Sequence, residues 1–244
     1  MSTVAIPLPD QDFDVTEVAV PWKLLTRAGH KVVFLTEKGA TPRADPLLLS
    51  GVLFGQLGAE PEPKRFYDEL TRAPEFLQPV DWSSNELTGF DALLLPGGHA
   101  PGMRQYLGSE SLQKKIAAFW DTKKPVAAIC HGVLVLARSK DATGKSVLRE
   151  SRTTCLPKYM ERSAYFLTAW KLGKYYRTYP EYVEDEVKGA LSSKEQFALG
   201  PRTLMARGTD QNDSPAFVVE DGRYVSARWP GDAYLFAKKF IERL

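Results

Sequence analysis

Residues 124–137 read KPVAAICHGVLVLA, and this stretch decides the fold. Val126 to Ile129 is an apolar run short enough for a buried parallel strand, and it stops abruptly at Cys130 and His131. Gly132 follows, and the apolar residues beyond it can open a helix. Cys130 therefore lies where strand turns sharply into helix, with small Ala128 and Gly132 two residues to either side. That is the layout of a nucleophile elbow, G-x-S-x-G, with Cys for Ser and Ala for the first Gly. Such a turn lifts the side chain clear of the sheet and aims the positive end of a helix dipole at the sulfur, which favours thiolate. A second reading stays open, in which Cys130 is a small buried apolar residue, where free cysteines usually go.

Outward from the elbow, short apolar strands alternate with helical patterns, the signature of βαβ units and a mostly parallel sheet. Thr3 to Leu8 reads as the first strand, and a helix follows with Val15, Val18, Trp22 and Leu25 on one face, ended by Gly29. Val32 to Leu35 reads as the second strand and Asp91 to Leu95 as a later one, closed by the turn Pro96-Gly97-Gly98. A helix near Glu110 to Trp120 leads into the elbow strand. Downstream, Arg152 to Cys155 reads as a short strand. Ala216–Glu220 and Tyr224–Ala227, joined through Asp221-Gly222, read as a hairpin, and a last helix runs from Pro230-Gly231 to Leu244. Two stretches interrupt this alternation. Residues 41–88, punctuated by Pro42, Pro46, Pro61, Pro63, Pro74 and Pro79, hold one helix near Lys64 to Thr71 and read as a cap or lid insertion. Residues 158–200, largely helical from Met160 to Leu191 and rich in Tyr, read as an additional helical cap segment. The expectation is one α/β domain over residues 1–244.

Composition narrows the function. The 244 residues are 43% hydrophobic and 25% charged, ordinary for a soluble globular protein. The net charge of +2 comes from interleaved signs with no Lys or Arg run to track a phosphate backbone, so nucleic acid is not an expected partner. No segment approaches the roughly 18 continuous apolar residues of a membrane span. The N-terminus lacks a basic region and apolar core suited to secretion, which points to the cytoplasm. Cys130 and Cys155 make no disulfide framework. His30, His99 and His131 show no metal-ligand spacing and there is no C-x-x-C, so neither metal nor cofactor is expected. Gly144-Lys145-Ser146 resembles a P-loop tail, but Ser139 stands where its first Gly belongs.

Four pieces remain that can carry chemistry. Cys130 and His131 are the first, although neighbours in sequence rarely point at each other. Gly97 and Gly98 stand at the carboxyl end of a strand, where α/β sheets place ligands, and a backbone N–H there can join that of His131 in holding an oxyanion. An ordinary turn is the competing reading. Glu17 sits near the start of the first helix, where Asp14-x-x-Glu17 equally matches a capping box, although Pro21 makes the helix start an irregular one. Glu161, about 30 residues past the elbow, offers a carboxylate to orient His131, or is a solvated acid at a helix start.

On these residues the chain resembles the ThiJ/PfpI superfamily, the class I glutamine amidotransferase-like fold. The segments that carry the likeness are TEVAVPWKLLTRAGHKV, FDALLLPGGHAPGM, KPVAAICHG and VSARWPGDAYLFAKKFIE, in that order. The resemblance implies a flavodoxin-like α/β sandwich with the cysteine at a strained elbow. The AICHG motif with a long insertion looks like the branch of heat-shock chaperones with glutathione-independent glyoxalase (glyoxalase III) activity. Carried over, Cys130 is the nucleophile and His131 its companion. Glu17 is the carboxylate hydrogen-bonded to the thiol, Gly98 an oxyanion donor and Glu161 the acidic third member, in flanking sequence that departs from the branch. Glutamine hydrolysis does not fit, because amidotransferases take their base from a downstream His and the last histidine here is His131. The leading expectation is a cofactor-free enzyme acting on small reactive carbonyls such as methylglyoxal. Its rivals are an amidase or peptidase using the same cysteine, and a stress-response holdase or cysteine redox sensor. Homodimers are common in the family.

Overall fold

The computed structural model describes residues 1–53, 57–203 and 205–244. Its elements run β1 (Thr3–Pro7), β2 (Gln11–Phe13), α1 (Val15–Arg27), β3 (Lys31–Thr36), β4 (Arg43–Ala44), α2 (Pro46–Ser50), α3 (Pro61–Leu70), α4 (Pro74–Leu77) and β5 (Val80–Asp81). They continue with β6 (Ala92–Leu95), α5 (Met103–Leu107), α6 (Glu110–Asp121), β7 (Val126–Ile129), α7 (Gly132–Arg138), α8 (Lys158–Leu172) and α9 (Val183–Ala190). The chain closes with β8 (Val218–Asp221), β9 (Tyr224–Ala227) and α10 (Ala233–Ile241).

The main sheet has the order β5-β3-β1-β6-β7-β9-β8, parallel throughout except for β8, which pairs antiparallel with β9. Every residue of β6 and of β7 is buried, as expected of strands covered on both faces. Helix α1 packs with α3 and α10, while α7 packs with α5, α6 and α9. Right-handed crossovers place these two groups on opposite faces, because the chain moves one way from β1 to β3 and the other way from β6 through β7 to β9. Strand order therefore reverses between β1 and β6, and the crevice beyond their carboxyl ends is where such sheets bind ligands. This is the expected α/β sandwich with a mostly parallel sheet.

Three details differ from the sequence reading. The region 41–88 is not wholly an insertion: β5 joins the sheet edge beside β3, α3 packs on α1, and Phe76 and Trp82 are buried in the core. A strand of two residues carries no periodicity to read. Residues 54–56 of that region lie outside the described residues. Around Arg152 to Cys155 there is a single bridge between Thr153 and Phe197 in place of a strand. The helical stretch from Met160 to Leu191 is split into α8 and α9, because α8 ends at Gly173 and residues 173–182 turn back toward the sheet ends.

Among the described glycines the tightest backbone approach is at Gly132, the first residue of α7. A Cβ there would stand 2.2 Å from the Leu95 carbonyl oxygen and 2.6 Å from that of Pro96, both immobile backbone atoms. Gly132→Ala must force α7 away from β6. The expected cost is about 3 kcal/mol, the upper part of the overpacking range, read as a fall in melting temperature of roughly 6–12 °C for a chain this size. A melting temperature within one degree of wild type would contradict this account of the elbow.

Candidate active site

Cys130 joins β7 to α7 with φ at +58°, a left-handed backbone that costs a non-glycine residue about 1–3 kcal/mol. The strain is held by its surroundings: the Cys130 N–H donates to Ala227 O at 3.0 Å, extending the β7–β9 ladder one residue past the strand. The His131 backbone N–H points at the sulfur and pulls the thiol pKa down. His131 also turns its ring back, so that Nδ1 lies 3.6 Å from Cys130 Sγ. The two neighbours do face each other, because the left-handed residue swings the chain through the turn.

The Glu17 side chain reaches the elbow instead of completing a capping box. Asp14 caps α1, its Oδ1 accepting from the N–H groups of Thr16 (2.8 Å) and Glu17 (3.1 Å). The reciprocal half of a capping box is missing, because the Asp14 N–H donates to Gly97 O at 3.0 Å. The Glu17 carboxyl instead crosses to the end of β6, where Oε2 accepts from the Gly97 N–H at 2.8 Å. The carboxyl and the Cys130 thiol act on each other's ionisation, and Oε1 has no hydrogen-bond partner. Helix α1 continues through Pro21, which leaves the Glu17 carbonyl without its usual helical donor. Gly97 is the meeting point: a Cβ on it would lie 2.7 Å from His131 N, 2.8 Å from Glu17 Oε2 and 3.0 Å from Cys130 Cβ.

Two expected roles need correction. The Gly97 N–H is spent on Glu17, so it is not a free oxyanion donor. Glu161 does not orient His131. Its Oε1 accepts from Arg177 Nη1 at 2.9 Å and its Oε2 from the Val183 N–H at 3.0 Å, while His131 Nε2 has no hydrogen-bond partner. Arg177, whose guanidinium also stacks on Tyr182 at 3.7 Å, claims the carboxylate for the joint between α8 and α9. Gly98 lies in the same turn as Gly97, beside Asp12, Asp14 and Met103.

His99 and Tyr106 were missed by sequence reasoning. The His99 ring packs edge-on against His131, with centroids 4.7 Å apart, and its Nε2 is buried without a partner. The ligand atoms of His99, Cys130 and His131 lie within 4.8 Å of one another, a thiol and two imidazoles suited to a soft or borderline cation that the sequence spacing did not foresee. Tyr106 OH is buried without a partner and feels the Glu17 charge.

The cap segments close around this cluster. Asp45, at the start of α2, accepts hydrogen bonds from Tyr176 OH (3.0 Å) and Tyr175 OH (3.2 Å), and Thr178 Oγ1 donates to His99 O at 2.6 Å. A cavity of about 380 Å³ opens beside them, lined by Asp14, Thr16, His99 and Tyr176 on the side of the cluster. Cys130 itself is 1% exposed, more enclosed than an elbow nucleophile need be.

Burial governs the electrostatics. Desolvation raises Glu17 well above the usual carboxylate range, with the neighbouring Asp14 charge adding to it, and raises Asp14 to about 6. It also pushes the Cys130 thiol well up, with the Glu17 and Asp14 charges adding to it. The pull of the His131 N–H does not offset this, so the resting sulfur is protonated rather than thiolate. Burial lowers His99 to about 4 and His131 well below its ordinary value, which makes both rings neutral.

A family model described as ThiJ/PfpI family-like matches residues 8–201. An uncharacterized protein of Schizosaccharomyces pombe is 31% identical over 96% of this chain and 81% of its own length. A deglycase of Pyrococcus abyssi is 27% identical over 97% of this chain and 96% of its own. The crystal structure of a glyoxalase III from Candida albicans shares the fold with a TM-score of 0.69 at 19% identity, covering 100% of this chain and 97% of that one. Among the described residues no helix is long and apolar enough to cross a membrane.

Two outcomes check this geometry. Removing the Glu17 charge removes two causes that raise the Cys130 pKa, so Glu17→Gln should move the pH midpoint of iodoacetamide labelling downward and speed labelling at pH 8. The labelled peptide is followed by mass spectrometry to separate it from Cys155, and an unmoved midpoint would sink the contact. Glu161→Ala strands a mostly buried Arg177, and should cost about 3 kcal/mol in urea unfolding while the labelling profile of Cys130 stays put.

Proposed function

The chain belongs to the ThiJ/PfpI family, and from that premise we propose that it is a cysteine-dependent enzyme converting small α-oxoaldehydes to 2-hydroxy acids without glutathione or another cofactor. The observation that carries this reading is the pairing of a buried thiol with a buried carboxyl whose pKa is raised. An ionised carboxylate suits a hydrolase that needs only polarisation. A carboxyl poised to gain and lose a proton suits a reaction that moves hydrogen between adjacent carbons.

In the proposed sequence, Cys130 Sγ bonds to the aldehyde carbon as its proton passes to the carbonyl oxygen, by way of Glu17, giving a hemithioacetal. Glu17 then removes the hydrogen from that carbon as a proton and returns it to the neighbouring carbonyl carbon. The hydroxyl proton of the hemithioacetal passes to the second oxygen, so the first carbon is oxidised to a thioester and the second reduced to a secondary alcohol, with no external electron acceptor. Water attacks the thioester, the C–S bond breaks and the thiol recovers its proton. The balance is one oxoaldehyde and one water to one 2-hydroxy acid. In this last step His131 Nδ1, 3.6 Å from the sulfur, relays a proton from the attacking water to the departing thiolate and ends neutral. The backbone N–H groups of His131 and Gly98 are assigned to the oxyanion. The likeness to a glyoxalase III and to a deglycase supports the carbonyl reading.

The decisive assay is methylglyoxal alone, with 2-hydroxypropanoate measured as product. Cys130→Ser should abolish turnover and Glu17→Gln should lower kcat by roughly 10²–10⁴, the contribution of a positioned general acid–base. Turnover surviving Cys130→Ser, or absent from the wild type, would refute the proposal.

A further inference from the structure

The cavity beside the cluster is far larger than methylglyoxal and of different character. Its 380 Å³ would hold about a dozen waters at a liquid share of about 30 Å³ each, whereas methylglyoxal brings five non-hydrogen atoms. Much of its wall is aliphatic and aromatic, with Leu48 and Val52 from the first cap segment, Met160, Ala164 and Leu167 from α8, and Trp229 from the turn after β9, while hydroxyls such as those of Ser163 and Thr168 interrupt it. Charge is confined to Asp14 and Arg207. Arg207 is engaged by the Trp229 ring (5.0 Å) and by Glu60 at 3.5 Å, and Asp14 by the cap of α1. Neither is left over for a charged ligand, and an anion would face Asp14.

Polar atoms without partners form a second, independent observation. His99 Nε2, Tyr159 OH, Thr203 Oγ1 and Trp229 Nε1 are each buried with no hydrogen bond, and all four residues line this cavity. Unsatisfied buried groups of this kind each cost about 1–3 kcal/mol, and several in one cavity mark a place where a ligand's oxygens belong. The lining thus suits an uncharged molecule with a long apolar body and a few hydrogen-bonding oxygens.

We infer that the preferred substrate is an uncharged α-oxoaldehyde with an apolar tail of about five to eight carbons, its tail lying along α8 and its carbonyl pair at the His99 end next to Cys130. This rests on the carbonyl reading above and specifies its substrate class. Cys130, Glu17 and His131 do not themselves line the cavity, but Asp14 and Thr16 do, within three residues of Glu17, and so does His99, whose ring packs on His131; a carbonyl held at His99 is thus one side chain from the ring beside the sulfur. Each methylene buried adds about fourfold in affinity, from about 0.8 kcal/mol per CH₂. A tail that fills the cavity only in part still gains tens-fold.

The test compares kcat/KM for 2-oxooctanal and methylglyoxal in the full chain. The expected result is at least about a tenfold preference for 2-oxooctanal, dependent on Cys130, with 2-hydroxyoctanoate as product. Ala164→Phe, which narrows the cavity, should reduce that preference at least tenfold. The unreactive ketone 2-octanone should raise the melting temperature of Cys130→Ala by several degrees and that of Cys130→Ala/Ala164→Phe by much less. The double variant's own melting curve shows whether it folds. Equal or better use of methylglyoxal by an active enzyme overturns the tail assignment and leaves the carbonyl reading standing. Stabilisation by 2-octanone that is absent, or indifferent to Ala164→Phe, overturns the cavity as its site. No turnover of either aldehyde overturns the carbonyl reading and this one with it.

Discussion

The site exists because one residue has no side chain. Gly97 ends β6 against the elbow, and its two peptide groups are both committed to the start of α1, the N–H to the Glu17 carboxyl and the carbonyl to the Asp14 N–H. The approach of His131 N, Glu17 Oε2 and Cys130 Cβ to that α-carbon leaves no room for even a methyl group. Helix α1, strand β6 and the β7–α7 turn are therefore fixed relative to one another by backbone, and the reacting side chains inherit that precision. Strand order reverses between β1 and β6 at the same place, so the topology supplies the crevice and Gly97 closes its floor.

That enclosure sets the chemistry as well as the geometry. Asp14, Glu17 and Cys130 are buried together, and each ionised acid makes the next harder to ionise. The turn favours thiolate through the His131 N–H, but the loss of water weighs more, and the resting sulfur keeps its proton. Reactivity in such a site comes from proton exchange between close partners as the bond to carbon forms, without a standing thiolate. It also spares the sulfur from indiscriminate attack, because a neutral thiol at 1% exposure is a poor nucleophile toward whatever diffuses past.

Much of this was legible in the sequence, for definite reasons. The apolar run Val126 to Ile129 broken by Cys-His-Gly has few structural solutions, and a glycine pair after Asp91 to Leu95 needs a close approach to explain it. Glu17 was ambiguous because a capping box and a catalytic carboxylate share one spacing. Only the position of Gly97 in space separates them, since its carbonyl takes the Asp14 N–H that a capping box would use. Glu161 misled because helix-start acids carry no mark of their partner, and Arg177 lies in a Tyr-rich stretch that reads only as a helical cap segment. His99 was set aside on spacing, 32 positions from His131, although adjacent parallel strands bring their ends together whatever lies between. The cavity was beyond reach altogether. Its walls come from Leu48, Ala164 and Trp229, segments that share no pattern and meet only after the sheet has formed.

The two neutral imidazoles complete the argument about where charge can reside. A cationic His131 beside Cys130 would stabilise thiolate directly, as in a Cys–His ion pair, but burial and the neighbouring Arg138 and Arg177 hold that ring neutral. His99, lowered to about 4, is no more able to carry the charge. In the proposed reaction the thiol's proton passes instead to the Glu17 carboxylate, whose raised pKa makes it a ready acceptor. An internal transfer of that kind costs far less than creating a net charge in a site closed to water, since the pair carries one negative charge before and after. His99 keeps a different part: its backbone carbonyl holds Thr178 from one cap segment and its ring rests on His131, so what fills the cavity bears on the ring that touches the sulfur. Under the proposed reading, holding the carbonyl end at His99 and aligning the dyad are thus the same contact seen from two sides.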